Sequence, residues 1–333
     1  MIISNDHPRF FELLNQIGIS VGYQSALHTQ SGLTWYRQRP IDEGKSVQDR
    51  SFILILNDIP VIGFQGATTT FDGKTDLLAY EIPCISIEDK GKLTTKATKT
   101  FLKEFDEIMQ DLNGTILYRD SILDGELSCL SKYLLRKGGK LKPNFSQVID
   151  YSTGKAVEKS SIRKSYKSLI NWGNRELQPK VYDESNITWD HMNVFRQLHI
   201  DEAGRETRSV ASWRLQYEMV KAGEAFVVFG HLNNEVVSAG LFMHSNTNCF
   251  YGISASRRDL FKKPMFHSLM WLAILHAKKI GCSWFEVGEQ LFPNHPSSEP
   301  PSKKELGISE FKAGFGGKTI CKLLLTLDRS INN

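Results

Sequence analysis

The sequence predicts an α+β protein made of two similar halves, each a mixed, mostly antiparallel sheet flanked by helices. Its length of 333 residues suits about two domains. The composition, 41% hydrophobic and 23% charged, is that of a globular chain and excludes a disordered chain or a disulfide miniprotein. The same series of predicted elements, three strands followed by a helix and a strand, occurs once in each half. This repetition indicates a duplicated domain.

The first half predicts a β-hairpin, a third strand, an amphipathic helix, a fourth strand and a second helix. An Asn-Asp pair at positions 57 and 58 separates the hairpin strands, as a tight two-residue turn requires. Six apolar residues from Phe101 to Leu112 share one helical face, and Asn113-Gly114 ends that helix. The predicted bounds are 51–56 and 60–67 for the hairpin, 76–82 for the third strand, 95–112 for the helix, 115–120 for the fourth strand and 126–137 for the second helix.

The second half repeats this series after three further helices. Its hairpin turns at Asn233-Asn234, Pro264 opens the helix that follows the third strand, and Gly281 caps that helix. The predicted bounds are 155–172, 188–203 and 209–222 for the three helices, 225–245 for the hairpin, 248–256 for the third strand and 283–288 for the fourth.

The division between the halves is predicted in the charged, Gly-containing run from Gly138 to Pro143, which interrupts the apolar periodicity. We therefore expect one domain over residues 1–143 and a second over 144–333. The alternative is that an α+β protein contains the same series twice by chance. The matching hairpins favour duplication.

Charge and cysteine usage narrow the classes of function. Lys plus Arg is 41 and Asp plus Glu is 37, a net charge of +4, which is too even for a dedicated DNA-binding protein. No apolar run is long enough to span a membrane, and the N-terminus lacks the apolar core of a signal peptide, so a cytoplasmic protein is expected. The five cysteines lack CxxC spacing and the nine histidines lack metal-ligand spacing, which predicts reduced thiols and no metal site.

Three segments carry a resemblance to a known family. The ending GISEFKAGFGGKT (307–319) resembles the closing motif of the FemAB/FemX family of peptidoglycan bridge-forming aminoacyltransferases. SSIRKSYKSLINWG (160–173) is similar to the basic helix that opens the second domain of that family, and FRQLHIDEAGRETRSVASW (195–213) resembles a branch found among surface-polysaccharide biosynthesis proteins. The resemblance covers about residues 146–325 and implies two tandem GNAT-like (N-acetyltransferase-type) domains that transfer an acyl or aminoacyl group to an amine of a cell-envelope precursor.

The resemblance also implies a catalytic centre and a donor. Phe311 and Lys312 match the Phe-Lys pair at the centre of the family's site. An acetyl-CoA pyrophosphate loop needs glycines, and the equivalent stretch 256–266 has none. It carries Arg257, Arg258, Lys262 and Lys263, whose side chains can hold a phosphate instead. Acyl-CoA or aminoacyl-tRNA is therefore expected as donor co-substrate, with no tightly bound cofactor.

Acyl transfer to an amine needs oxyanion stabilisation, deprotonation of the amine and protonation of the leaving group. Lys312 is suited to stabilise the oxyanion, because it is a cation. The nearby Gly314, Gly316 and Gly317 predict that it lies in a loop. Tyr251 can protonate the leaving group, and it can equally be a half-buried strand aromatic. Glu289, predicted in a loop, and His267, near a helix start, are the candidate bases. Glu286 alternates with apolar neighbours and is interpreted as structural.

Substrate contacts are predicted in the turn that holds Arg205 and Arg208, together with Trp213, as a clamp for a phosphate, carboxylate or sugar ring. The alternative is a solvated connection between helices. Arg258 is a further candidate contact. In the first half, Trp35-Tyr36-Arg37 is a candidate lining of an inter-domain cleft.

The leading functional hypothesis is an N-acyltransferase acting on a nucleotide-sugar or lipid-linked envelope precursor. A second is a peptidoglycan-bridge aminoacyltransferase that uses aminoacyl-tRNA, which makes tRNA a possible partner. A third, of a different class, is a non-catalytic binding or scaffold protein with a duplicated fold. No DNA partner and no membrane-spanning segment are expected under any of the three.

Overall fold

The computed structural model describes residues 1–79, 84–85, 95–121, 125–151, 159–294 and 300–330, with 84–85 as main chain only. Residues 80–82 of the predicted third strand and 155–158 of a predicted helix lie outside the described residues. No helix in these ranges is long and apolar enough to cross a membrane.

Helices and strands alternate along the described chain. The helices are α1 (Phe10–Val21), α2 (Gln30–Asp42), α3 (Thr95–Gln110), α4 (Cys129–Arg136), α5 (Lys164–Glu176), α6 (Trp189–Ala203), α7 (Val210–Lys221), α8 (His267–Lys279) and α9 (Lys303–Ala313). The strands are β1 (Ile2–Ser4), β2 (Ser46–Asp49), β3 (Phe52–Leu56), β4 (Ile59–Phe64), β5 (Gly66–Phe71), β6 (Lys74–Ala79), β7 (Cys84–Ile85), β8 (Thr115–Ser121), β9 (Lys140–Asp150), β10 (Lys180–Tyr182), β11 (Ala225–Leu232), β12 (Glu235–His244), β13 (Asn248–Ser256), β14 (Trp284–Gln290) and β15 (Lys318–Asp328).

Both predicted hairpins are confirmed, as β3–β4 and β11–β12. The turn residues Asn57 and Asp58 have φ of +49° and +62°, and Asn233 and Asn234 have φ of +51° and +65°. Positive φ at both residues defines the type I′ turn, whose twist matches that of the flanking strands. The two halves therefore use the same hairpin turn.

Three predicted boundaries are wrong. The helix predicted over 155–172 begins only at Lys164, as α5, after a separate 3₁₀ turn at Lys159–Ser161. The predicted strand 60–67 is two strands, because β4 ends at Phe64 in one sheet and β5 begins at Gly66 in another. At this crossing the Gly66 N–H donates to Ser51 Oγ at 3.2 Å. Pro264 does not open α8, which begins at His267, because a turn with the Met265 N–H bonded to the Lys263 carbonyl intervenes.

One large sheet joins the two halves. Eleven of the described strands form it, in the order β10-β11-β12-β13-β14-β9-β15-β8-β6-β5-β2, and β1, β3, β4 and β7 form a second sheet. The C-terminal strand β15 lies between β9 and β8 and is antiparallel to both. Three of its leucines pack in the core beneath α3 and α4 of the first half: Leu323, Leu325 and Leu327. The end of the chain thus completes the sheet of the first half.

Helices cover both faces of the large sheet. In the second half, α5 and α8 pack on one face and α6 and α7 on the other, each over its own buried cluster. Helix α2 comes from the first half and packs against α7. Ser209 Oγ donates to Asp42 at 2.7 Å, and the Ser31 N–H donates to Glu224 at 2.8 Å, which ties α2 to the second half.

Candidate active site

The two central strands of the second half separate partway along their length. β13 and β14 run parallel and pair only from Asn248–Phe250 to Trp284–Glu286, although both strands continue beyond these rungs. Past Phe250 and Glu286 their inner edges face a gap instead of each other. Bulges beside the gap, at Leu241/Phe242 in the β12–β13 pairing and at Glu286/Gly288 in the β14–β9 pairing, turn the main chain locally.

Lys312 reaches the β14 side of this gap. Its Nζ donates to the main-chain carbonyl of Glu289 at 3.2 Å. Gly288, whose φ is +113°, makes room for the amine, since a Cβ there would lie 3.0 Å from Nζ. The ammonium group is therefore held against the main chain of β14 at Gly288 and Glu289 rather than free in solution.

The expectation that Lys312 lies in a glycine loop is wrong. It lies in the last turn of α9, a helix that the sequence does not predict. Ser302 begins α9 with a capping box to Glu305, while only Ser309 of its residues is buried, so no apolar stripe marks it. The glycines follow the helix, and Gly314 lets Tyr166 pack against its main chain.

The charge state of Lys312 depends on its surroundings. Burial lowers the pKa of Lys312, and the carboxylates of Glu289 and Glu286 oppose that shift. A cation with a lowered pKa gives up a proton more readily than a surface lysine does. In its charged form it can donate a hydrogen bond to a negatively charged oxygen.

The two glutamates of β14 differ in their surroundings. Glu289 is exposed and lies within β14, so its predicted loop position is wrong. Glu286 is buried, and its carboxylate accepts hydrogen bonds from Ser146 Oγ at 2.7 Å and Lys322 Nζ at 2.8 Å. The buried pair supports the structural interpretation of Glu286 and leaves Glu289 as the accessible carboxylate.

Breaking the buried pair provides a stability test. Lys322→Met is expected to lower the free energy of unfolding by about 3 kcal/mol, because Glu286 would keep a buried charge without its partner. The matched change Lys318→Met, at an ion pair in which the lysine is 54% exposed, is expected to cost less than about 1 kcal/mol. Urea unfolding measures both, and equal losses would contradict a special role for the buried pair.

An aromatic cluster forms the wall on the α8 side of the gap. The His267 ring lies 4.6 Å from the ring of Tyr166 and 5.1 Å from that of Phe311, which packs 5.1 Å from Phe315. The Tyr166 hydroxyl donates to the Phe311 carbonyl at 3.1 Å, which holds the end of α9 in place. Tyr166 was not predicted as a site residue, and only its place in the basic segment 160–173 pointed towards it.

His267 and Tyr251 both stay neutral near pH 7. Burial lowers the pKa of His267 to about 4, and burial raises the pKa of Tyr251 to about 12. Tyr251 is the first residue of β13 past the last paired rung; its ring packs 5.5 Å from Phe266 and its hydroxyl bonds with Ser254. The phenol therefore keeps a proton that it can donate, and the imidazole is a weak base.

The lowered pKa of His267 predicts a dependence of stability on pH. The unfolded chain binds a proton at His267 below about pH 6.5, whereas the folded chain does so only near pH 4, so stability is lost as pH falls between these values. We expect His267→Phe to lessen the loss between pH 7 and pH 5 by about 1–2 kcal/mol. Urea unfolding of both proteins at the two pH values measures this, and an identical loss would show that His267 protonates normally.

The predicted arginine–tryptophan clamp is not assembled. Trp213 is 1% exposed and packs 5.2 Å from Phe195 and 5.6 Å from His199, so it is a core residue that cannot contact a ligand. Arg205 is exposed in the α6–α7 turn, and Arg258 is exposed in the turn after β13. Of these residues, Arg208 alone lines the cavity described next.

A cavity of about 870 Å³ lies between the first and second halves. Its walls are α2, with Trp35 and Tyr36, and the α6–α7 turn, with Arg208; Leu78 and Leu117 of the large sheet line it as well. The expectation for Trp35 and Tyr36 is thus met, whereas Arg37 forms an ion pair with Asp49.

Arg208 carries a charge into this cavity. Its Nη1 lies 3.1 Å from His199 Nε2, and no carboxylate among the described residues forms an ion pair with it. Burial and the neighbouring Arg39 both lower the pKa of Arg208. Arg39 is paired with Glu43 at 3.0 Å, and Asp42 and Glu206 also line the cavity, so the guanidinium of Arg208 is the group there that can bind an anion.

The cavity opens on the sheet face of the buried Glu286–Lys322 pair, which is opposite the face on which Phe285 and the aromatic cluster of α5, α8 and α9 pack, so a ligand that reached both places would pass through the gap. Leu117 pairs with Thr326, and Lys322 is four residues earlier on the same strand, so both side chains point to one face. The rung of Gly288 includes Gln147 and Thr319. Along β15, Thr326 and Thr319 are seven residues apart, and across the sheet β8 and β14 are three strand spacings apart. Together these separations place Leu117 roughly 27 Å from Gly288 in a flat sheet.

Comparison with solved structures identifies the fold. The chain is similar to FemX, with a TM-score of 0.69 and 11% identity over 93% of this chain and 95% of that one. It is also similar to the C-terminal domain (DUF2156) of a putative lysylphosphatidylglycerol synthetase from Agrobacterium fabrum (TM-score 0.59, 14% identity, 96% and 91% covered). A tandem GNAT protein from the clavulanic acid biosynthesis pathway matches with a TM-score of 0.57 and 9% identity, covering 100% of this chain and 99% of that one.

These similarities confirm the α+β fold of two tandem GNAT-like domains and, at the level of fold, the resemblance to FemX. No family model matches the sequence, and no curated protein matches it. Roles for individual residues therefore rest on the geometry of this chain.

Proposed function

We propose that this protein is an N-acyltransferase that moves an acyl group from an activated, acyl-CoA-type donor to the amine of a cell-envelope glycan or nucleotide-sugar precursor. The observation that carries the proposal is Lys312, whose ammonium group is fixed at the edge of a gap between two parallel strands. Such a gap admits the acyl chain of a donor between main-chain edges, and the cation lies where an acyl carbonyl would gain negative charge.

The reaction that we propose uses the groups around the gap. The acceptor amine attacks the thioester carbonyl, a C–N bond forms, and Lys312 donates a hydrogen bond to the oxyanion. Glu289 takes the amine proton through water, since its carboxylate is exposed while that of Glu286 is already paired. The C–S bond then breaks, and the neutral Tyr251 hydroxyl donates a proton to the leaving thiolate.

The cavity supports an elongated acceptor. We assign Arg208 to an anionic group of the acceptor and Trp35 and Tyr36 to a ring beside it. Because the cavity lining at Leu117 is roughly 27 Å from the rung of Gly288, an isolated amino sugar cannot occupy both places. A precursor extended by a nucleotide, a peptide or a lipid-linked phosphate can.

A second donor, aminoacyl-tRNA, is favoured by one observation. The turn before α8 has no glycine, and α8 begins without a side-chain cap at Phe266, so a pyrophosphate has no glycine loop to bind. With aminoacyl-tRNA as donor, the bond that breaks is an ester bond rather than a thioester bond. The same Lys312 would stabilise the oxyanion.

Thermal unfolding with two ligand panels tests the proposal. Ligand that binds the folded chain raises its midpoint by mass action. A rise with an acyl-CoA, followed by acyl transfer to an amino-sugar precursor, is the expected result. A rise with precursors alone, together with transfer that ribonuclease abolishes, would replace acyl-CoA with aminoacyl-tRNA. No transfer from either donor to any amino-sugar or muropeptide precursor would overturn the proposal.

A further inference from the structure

The turn between β13 and α8 presents unpaired positive charge. Arg257 is bonded to Asp259 at 2.6 Å and to Glu235 at 3.2 Å, which neutralises it. Arg258, Lys262 and Lys263 are exposed, and no described carboxylate forms an ion pair with any of them. The turn therefore has three available cations within six residues.

An exposed aromatic ring lies among these cations. Phe261 is 56% exposed and directly precedes the two lysines. It lies three residues after Arg258, the first residue of a single 3₁₀ turn, so the two side chains share one side of that turn. Leu260 packs against the core, and the Lys263 N–H bonds to the Leu260 carbonyl at 2.8 Å, which fixes the turn with Phe261 outward.

We propose that this turn docks the protein on an anionic lipid bilayer, with Phe261 in the headgroup region and the three cations against lipid phosphates. An exposed phenylalanine beside three cations can bury its apolar ring in a bilayer while the cations are attracted to anionic lipid. Each cation is worth about fivefold in partition to an anionic surface, and burying the exposed part of the ring about tenfold. Three cations on one short turn suit a planar anionic surface better than the long backbone of a nucleic acid.

The turn is connected directly to the candidate active site. Phe261 is five residues ahead of Phe266, which packs against Tyr251, so the docked surface lies within about 18 Å of the gap along the chain. A docked protein would hold the gap close to the headgroups. Vesicle binding does not require turnover, so its outcome is independent of the proposed reaction.

Flotation of the full chain with vesicles of about 30% phosphatidylglycerol in phosphatidylcholine tests the proposal. We expect binding that is lost at high salt and on pure phosphatidylcholine. Phe261→Ala is expected to weaken binding about tenfold and the double change Lys262→Ala/Lys263→Ala about 25-fold. The matched controls are Phe71→Ala, at a ring that is 58% exposed in the first half, and Lys303→Ala/Lys304→Ala, at adjacent exposed lysines on α9; both are expected to bind as the wild type does.

Insertion of the ring provides a second readout. Phe261→Trp is expected to gain quenching by brominated lipids over the wild-type background, whereas Phe71→Trp is not. Wild-type protein that ignores anionic vesicles, or Phe261→Ala that binds them unchanged, would overturn the proposal. It would also be overturned if tRNA bound through the same lysines while brominated lipid left Phe261→Trp unquenched, since that result assigns the turn to a nucleic acid.

Discussion

Lys312→Ala is expected to lower turnover by about two to three orders of magnitude while the chain stays folded. The lost group is the donor that we assign to the oxyanion, and removing one such donor commonly has an effect of this size. The Nζ bonds only to the main-chain carbonyl of Glu289 in the described structure, so the fold does not depend on it. Steady-state kinetics with the donor and acceptor identified by thermal unfolding would measure the loss, and circular dichroism would confirm the fold.

The matched control for this experiment is Lys304→Ala. Lys304 is exposed on the same helix, α9, two turns ahead of Lys312. It is expected to keep wild-type turnover, which separates the position of the charge from its mere presence on the helix. Unchanged turnover in Lys312→Ala would move the reaction elsewhere, and a chain with no turnover at all that keeps its cellular role would favour the scaffold hypothesis.

The pH profile gives the same experiment a second readout. Because the pKa of Lys312 is lowered by burial, its cation is present at low pH and is lost as pH rises through that pKa, earlier than for a surface lysine. Turnover that depends on the cation should therefore fall at alkaline pH. In Lys312→Ala the residual rate should lack that decline.

Arg208→Ala is expected to raise KM for the acceptor about 10- to 100-fold with little change in kcat. The guanidinium lies in the cavity, remote from the gap, so it contributes equally to binding of the ground state and the transition state. Loss of a charge-assisted contact to a phosphate or carboxylate is worth about 1.5–3 kcal/mol. Acceptor saturation curves at fixed donor concentration would measure the change.

Arg175→Ala serves as the control for Arg208→Ala. Arg175 lies on α5, where its side chain is 70% exposed and pairs with the adjacent Glu176. Arg175→Ala removes one positive charge, as Arg208→Ala does, but leaves the cavity lining intact. It is expected to leave KM for the acceptor unchanged. A fall in kcat with unchanged KM in Arg208→Ala would contradict the assignment of the cavity to the acceptor.

Local patterns predicted most of the secondary structure. The Asn-Asp and Asn-Asn pairs specify type I′ turns, and the apolar face of 95–112 specifies a helix that the structure has as α3. These features depend on neighbours in sequence, so they can be inferred without a tertiary structure. The sequence does not predict helix α9, because only Ser309 of its residues is buried and no apolar stripe runs along it.

The candidate site was predicted in part and for a different reason. The family resemblance predicts Phe311 and Lys312. The structure packs Phe311 against Tyr166 and His267 and holds Lys312 against the main chain of β14. An aromatic residue beside arginines suits a ligand, so the sequence predicts Trp213 in a clamp, but the same residue type suits a core equally well. Only its packing against Phe195 decides between the two.

The amino-acid sequence by itself determined the class of fold, the duplicated order of elements and the residues able to do chemistry, since each follows from local backbone preference and side-chain type. Only the tertiary structure decided which of those residues lie close together. It places the last strand between β8 and β9, separates β13 from β14 beside Lys312, and sets Arg208 opposite Trp35 and Tyr36 from another part of the chain. These contacts depend on the order of strands in the sheet and on helices packed across it. Both are long-range features that no short stretch of sequence encodes.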